Sequence, residues 1–460
     1  MKIKRWLRTR GSAIITSRLY RNARRSKAAM LRRLRGDQPV VHYFHQVDDP
    51  YSDLAVRALP HLATQYAIKI VPHLVPVPDA AAAPQSQRLI DWSLRDAADL
   101  AGALQLSPSP WRTAPSAEAI TRAQAALAGI TDANAFAAAA ANIRAVFSKE
   151  ADGRTHETSD FAPGDGAADA LTSDDELAVD QALAAGKTLR ETLGHYLGGM
   201  FYFEGEWYWG LDRLPYLEQR LQSSSLVSQA DNGTVTPFVN RLEASVIPTA
   251  SVPASASRPQ PHQESLPRGP LLDLYFSFRS PYSWIALPRV IALAKKYDAR
   301  LRLRFVLPMV MRGLPIPEAK RLYIVSDTKR EAERVGLPFG LIADPVGKPT
   351  ERGLAVLHHA IGEDKGEAFA MSFMRGVFAE GINARTDAGL LKLCNRAGIS
   401  AEQMFAALSD PGWRAVAEAN REEMFELGIW GVPAFRVNGG SAHWGQDRLW
   451  LLEQQLGRDG

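Results

Sequence analysis

The chain has 460 residues, 46% hydrophobic, 23% charged and 8% aromatic, the balance of a folded globular chain, and at roughly 100–200 residues per domain it predicts two to four compact units. No apolar run reaches the roughly 18 residues of a membrane-spanning helix, and a single cysteine, Cys394, excludes an internal disulfide, a cysteine metal cluster and a Cys-x-x-Cys redox cycle. The net charge of +4 is uneven, because residues 1–36 hold 13 Lys/Arg and no Asp or Glu, which leaves 41 basic against 50 acidic residues elsewhere, a net of −9.

In chain order, the basic segment comes first. Its longest uncharged run, Gly11–Ser17, is too short and polar for a signal-peptide core, so a reducing, cytoplasmic compartment is expected. Trp6, Leu7, Ile14, Ile15, Leu19, Met30, Leu31 and Leu34 would form one apolar stripe of a basic helix suited to an anionic membrane surface or nucleic acid. The alternative is a solvated tail over residues 1–37. A buried strand, Val40–Phe44, then leads into Asp49-Pro50-Tyr51-Ser52 and a helix. Glu150–Glu176 is polar, acidic and Gly-containing and reads as a surface loop. His42 and His45 flank the first turn without a third ligand and read as structural.

The second half repeats the first. VHYFHQVDDPYSDL (41–54) parallels LDLYFSFRSPYSWI (272–285), and Trp209-Gly210-Leu211-Asp212-Arg213-Leu214 parallels Trp444-Gly445-Gln446-Asp447-Arg448-Leu449, at separations of 231 and 235 residues. The expected divisions are a basic tail (1–37), a first domain (38–222), a flexible Ser/Pro/Ala-rich linker (223–269) and a second domain (270–460). In the second domain the strand Leu271–Phe276 precedes a helix carrying Pro288. The alternating strand Leu301–Phe305 follows, then a long helical stretch. A hairpin, Ala434–Val437 and Ser441–Trp444 around Asn438-Gly439-Gly440, precedes the last helix. Cys394 lies among apolar residues at helical spacing and reads as a core thiol, and His358-His359 reads as a solvated pair.

A βαβ unit, a helical insertion and a ββα unit make an α/β layout. With the blocks at 272–286, 428–439 and 443–456, it resembles the DsbA-like thioredoxin superfamily, and within it the branch of 2-hydroxychromene-2-carboxylate isomerases and kappa-class glutathione transferases. The resemblance implies two thioredoxin-like domains in tandem, the N-terminal copy degenerate. It also implies a cis Val432–Pro433 bond. Ser280 and Ser283 stand where that superfamily's disulfide oxidoreductases carry cysteines, so Ser280 would be catalytic by hydrogen bonding to the thiolate of a glutathione cofactor. Val432, Pro433, Gln446, Asp447 and Lys320 would bind that cofactor. Ser280 and Asp447 read equally as helix caps and Lys320 as a solvated helix residue, and Leu314 stands where the family carries Asn. In the first copy Asp49 replaces Ser280 and Gly199 falls on the proline, which excludes thiol chemistry there.

The leading expectation is a glutathione-dependent isomerase or transferase of an electron-poor aromatic or enone-like small molecule. The alternatives are a non-catalytic binding or scaffold protein, and a DsbA-family oxidoreductase in family label only. Expected partners are the small-molecule substrate, glutathione and, through residues 1–36, an anionic membrane surface at the inner face. A homodimer is allowed and no specific nucleic acid is expected.

Overall fold

The computed structural model describes residues 2–107, 113–151, 171–228, 235–245, 269–314 and 316–459. The chain divides into two units, Met1–Arg21 with Glu243–Gly460, and Asn22–Leu242. It opens on two helices, α1 (Lys2–Ile15) and α2 (Arg18–Arg35), in place of a solvated tail. The side chains of Trp6 and Leu7, the first members of the apolar stripe, lie outside the described residues.

In the N-terminal unit β1 (Val40–His45), α3 (Pro50–Val56), α4 (Leu59–Gln65) and β2 (Lys69–Leu74) form the first βαβ segment. Four helices follow, α5 (Ser86–Ala103), α6 (Ala117–Leu127), α7 (Ala133–Ala151) and α8 (Ser173–Thr192), and then β3 (Met200–Phe203), β4 (Glu206–Trp209) and α9 (Gly210–Ser223). The sheet order is β2-β1-β3-β4. β1 runs parallel to β2 (Val41↔Ile70) and antiparallel to β3 (His42↔Tyr202), and β3 is antiparallel to β4. Tyr43, Leu54, Phe136, Phe201 and Leu214 fill the core. The core of the expected surface loop, 152–170, lies outside the described residues, and a Thr172–Asp175 capping box opens α8 just beyond it. The expected linker also falls mostly outside them, at 229–234 and 246–268, whereas Leu226, Val227, Phe238, Val239 and Leu242 pack on this core.

The C-terminal unit has β5 (Leu271–Phe276), α10 (Pro281–Lys296) and β6 (Arg300–Phe305), and then a 3₁₀ turn at Met309–Arg312. Six helices come next: α11 (Glu318–Arg334), α12 (Lys348–Gly362), α13 (Gly366–Ala379), α14 (Asp387–Arg396), α15 (Ala401–Ser409) and α16 (Trp413–Glu426). β7 (Ala434–Val437), β8 (His443–Trp444), a 3₁₀ turn at Gln446–Arg448 and α17 (Leu449–Asp459) close it. Its sheet, β6-β5-β7-β8, has the same order and the same alternation of sense. LLDLYF at β5 is buried on both faces, as a central strand flanked by a parallel and an antiparallel neighbour requires. The helices α12 and α13 approach closely because Gly353 has no Cβ, which would otherwise fall 2.5 Å from the Phe373 ring. That ring stacks on Phe278 at a centroid distance of 4.1 Å. From residues 9–21, Ser12 donates to the Gly340 carbonyl, and Arg18 and Arg21 pair with Glu333.

Candidate active site

The strand β5 ends at Phe276, and three residues later the chain turns into α10. Ser280 caps that helix with extended backbone (φ −87°, ψ 112°), and its Oγ accepts from the Ser283 amide at 3.1 Å. Pro281 at the first helical position needs no amide partner and starts the helix cleanly. The same Ser280 hydroxyl donates to the Val432 carbonyl at 3.3 Å, so the positive end of a 16-residue helix faces the loop before β7. Ser283 is buried, and its Oγ has no hydrogen-bond partner among the described residues. The helix runs through Pro288 to Lys296 and is tied to α11 by Tyr282, whose hydroxyl donates to Asp327 at 2.8 Å.

The facing loop is shaped by two tryptophans. Trp430 and Trp444 meet nearly edge to face at 5.3 Å, and a Cβ on Gly431 would fall 2.0 Å from the Trp444 ring, so only glycine fits. The Val432–Pro433 peptide is cis, and the Pro433 carbonyl accepts from the Gly445 amide at 2.8 Å. Lys320, on the first turn of α11, places its Nζ 5.7 Å from the centre of the Trp430 ring. Burial lowers its pKa to about 8, so it is not the solvated helix residue that its sequence setting allows. The Trp430 Nε1 is buried without a partner among the described residues.

Gln446 is 2% exposed and its amide is engaged by protein: the oxygen accepts from Arg289 at 2.9 Å, and the nitrogen donates to Glu331 at 3.1 Å and to Asp447. It therefore braces Asp447, its side-chain amide being taken up within the protein. Asp447 lies in a 3₁₀ turn ahead of α17, not at the first residue of that helix. Arg289 is buried beside Arg334, and desolvation first, then that like charge, bring its pKa down to about 10. The structure thus brings Ser280 to the Val432–Pro433 loop, sets Lys320 over Trp430 two residues before that loop, and holds Asp447 through Gln446, which is tied to Arg289 further along α10.

In the N-terminal unit the corresponding turn carries Asp49, which accepts from the Tyr51 amide (3.2 Å), the Ser52 amide (2.9 Å) and the Ser52 hydroxyl (2.7 Å). Burial raises its pKa to about 6. Gly199, at φ 61°, lies beside it, and its carbonyl accepts from the Gly210 amide at 2.8 Å. Tyr51 donates to Asp96 at 2.6 Å across 45 residues, the same separation as Tyr282 to Asp327. That recurrence escaped the sequence reading, although comparing the halves at the 231-residue offset exposes it. His42 bonds His73, and His45, buried against Tyr43, has its pKa lowered to about 4, which fits structural roles. Cys394 is fully buried and its thiol pKa is pushed up to about 12 by desolvation. His359 meets Glu363 at 3.0 Å, and no cluster of metal-ligating side chains occurs among the described residues.

Residues 271–457 match the DsbA-like thioredoxin domain. Two curated relatives align with part of the chain: the 2-hydroxychromene-2-carboxylate isomerase of Sphingobium xenophagum (23% identity, 40% of this chain and 97% of that protein) and that of Pseudomonas putida (24%, 41% and 95%). Among solved structures, a 2-hydroxychromene-2-carboxylate isomerase shares 24% identity over 41% of this chain and 95% of its own, with a TM-score of 0.36. The cytosolic disulfide reductase DsbM of Pseudomonas aeruginosa with GSH shares 22% over 40% and 98%, with a TM-score of 0.31. The C-terminal unit is thioredoxin-like. No described helix is long and apolar enough to cross a membrane.

Proposed function

We propose that the C-terminal unit is a glutathione-dependent isomerase or transferase acting on an electron-poor aromatic or enone-like small molecule, and that the N-terminal unit is a degenerate copy of the same fold. The observation that carries this reading is the Ser280 hydroxyl at the mouth of α10, 3.3 Å from the Val432 carbonyl, where a proton donor and a helix N-terminus converge. The protein's one thiol is buried and held protonated, so a reactive sulfur has to come from elsewhere. The surroundings fit a small anionic peptide, with a desolvated amine at Lys320, a carboxylate at Asp447 and buried polar atoms at Ser283 and Trp430 that have no partner among the described residues. The isomerase names of the two curated relatives support the reaction class.

Bound glutathione would supply a thiolate able to add reversibly to an activated double bond. In this reading Ser280 turns its proton from the Val432 carbonyl toward that sulfur, and the α10 dipole favours the anion. Val432 offers its backbone to the cysteinyl amide beside Pro433, Lys320 meets a carboxylate, and Asp447, steadied by Gln446, meets the ammonium group. A reducing, cytoplasmic setting suits this assignment.

Calorimetric titration of glutathione into the full chain tests it, with turnover followed on 2-hydroxychromene-2-carboxylate and on an activated aryl halide. Binding heat and glutathione-dependent turnover are expected. Ser280→Ala should lower turnover by roughly 10–100-fold, the weight of one hydrogen bond to a charged group. It should cost only about 1 kcal/mol of stability through the lost cap. Absence of heat at millimolar glutathione, or undiminished turnover without it, overturns the reading.

A further inference from the structure

The helix α2 is seated with a charged face inward. Arg25 donates to both carboxylate oxygens of Glu206 (3.1 and 2.7 Å), Arg32 to Glu204 (2.6 Å) and Arg24 to the Gly205 carbonyl (3.1 Å). At about 100° per residue, Arg25 and Arg32 lie together on one side of the helix. The other side carries Leu19, Met30, Leu31 and Leu34 within an arc of about 120°. They are 84%, 60%, 39% and 72% exposed. A helix that covers a core shows the reverse arrangement, apolar face in and charges out. Lys27 lies inside the apolar arc with Arg33 and Arg35 near its margins, all three exposed, and no acidic residue occurs in residues 1–36.

These observations specify the partner's chemistry: apolar, with negative charge alongside. We propose that α2 is an interfacial helix that docks the chain on an anionic lipid surface, with Leu19, Met30, Leu31 and Leu34 entering the acyl boundary and Lys27, Arg33 and Arg35 among the headgroups. A nucleic acid offers no apolar counterpart to the exposed Leu19, Met30, Leu31 and Leu34, whereas an anionic lipid surface takes both these and the outward Lys27, Arg33 and Arg35. A second copy of this face would set like charges against one another.

Flotation of the full chain with phosphatidylcholine vesicles, with and without about 30 mol% phosphatidylserine, tests the proposal. Binding should require phosphatidylserine and weaken with salt. The double variant Met30→Asp/Leu34→Asp should bind at least about tenfold more weakly. Its unfolding midpoint should stay unchanged, because both side chains are solvent-exposed. Lys27→Ala and Arg33→Ala should each weaken binding about fivefold. The proposal is overturned by absent binding to the anionic vesicles or by undiminished binding of the double variant. It is equally overturned by a concentration-dependent dimer in sedimentation that Leu34→Asp abolishes, which would assign the face to a second copy.

Discussion

The two units start their first long β–α turn in the same way and finish it differently. In each, a strand gives way to a capped helix with proline at its first position, a tyrosine one residue later reaches an aspartate 45 positions on, and a glycine amide bonds a carbonyl in the facing loop at 2.8 Å. At the cap itself Asp49 accepts three hydrogen bonds from its own helix start, while Ser280 accepts one and gives its proton to Val432. A saturated carboxylate has nothing to offer an anion, and a hydroxyl with a movable proton has. The two units share the order and sense of their strands and differ in the residue at this cap.

The sharpest way to break this comparison is to write the C-terminal residue into the N-terminal unit. Gly199 corresponds to Pro433 in chain position, yet it sits at φ 61°, whereas a proline ring holds φ near −65°. Gly199→Pro should therefore destabilise the N-terminal unit by about 3 kcal/mol or more, read as a lowered denaturant midpoint. Full tolerance of the substitution would mean that the backbone there is not fixed as described, and that the two loops differ only in sequence.

The cap residues give the next largest effect, and it depends on pH. Asp49 has a folded-state pKa near 6 against the ordinary 3.8, so the native state binds more protons than the unfolded chain between those values. Stability consequently falls as pH rises through that window and levels off above it, by at most about 3 kcal/mol and less where solvent reaches the carboxyl. Asp49→Asn stays neutral and loses this slope. Urea unfolding of both proteins at several pH values from 4 to 7 should show the variant gaining on the wild type as pH rises, and parallel curves would remove the carboxylate's burial from the account.

Much of the frame was legible because it rests on local signals. The apolar run at Leu271–Phe276, the Ser-Pro-Tyr-Ser helix start and the Asn438-Gly439 turn are written within a few residues of where they act. The core thiol at Cys394 follows from its apolar neighbours. What could not be read depends on remote partners. Gln446 looks like an available amide until Arg289 and Glu331, 157 and 115 residues away, close on it. The stripe on α2 was visible as a period, but a period has two faces, and the inward one is chosen by Glu204 and Glu206 from a distant hairpin turn.

Lys320 supplies the smallest effect and the finest distinction between the units, since the position 231 residues earlier is Leu89 and offers no charge. Its amine lies over Trp430 and has been lowered to about 8 by burial, so it is largely protonated at neutral pH and loses its proton as pH passes 8. An anionic ligand gains from the charged form alone. Affinity should hold up to about pH 7 and decline through pH 8–9, and the bound ligand should raise the amine's pKa in return. S-methylglutathione is the suitable probe, because it has no thiol to titrate in the same range, and its ammonium, which does titrate there, is common to the wild type and Lys320→Met and cancels in the ratio of their affinities. Lys320→Met should weaken its binding roughly fivefold at pH 7, about the weight of one partly exposed ion pair, and remove the part of the decline that the amine contributes. A wild-type affinity that stays level from pH 7 to about pH 9.5 would separate Lys320 from the ligand and leave it as packing for the Trp430 ring.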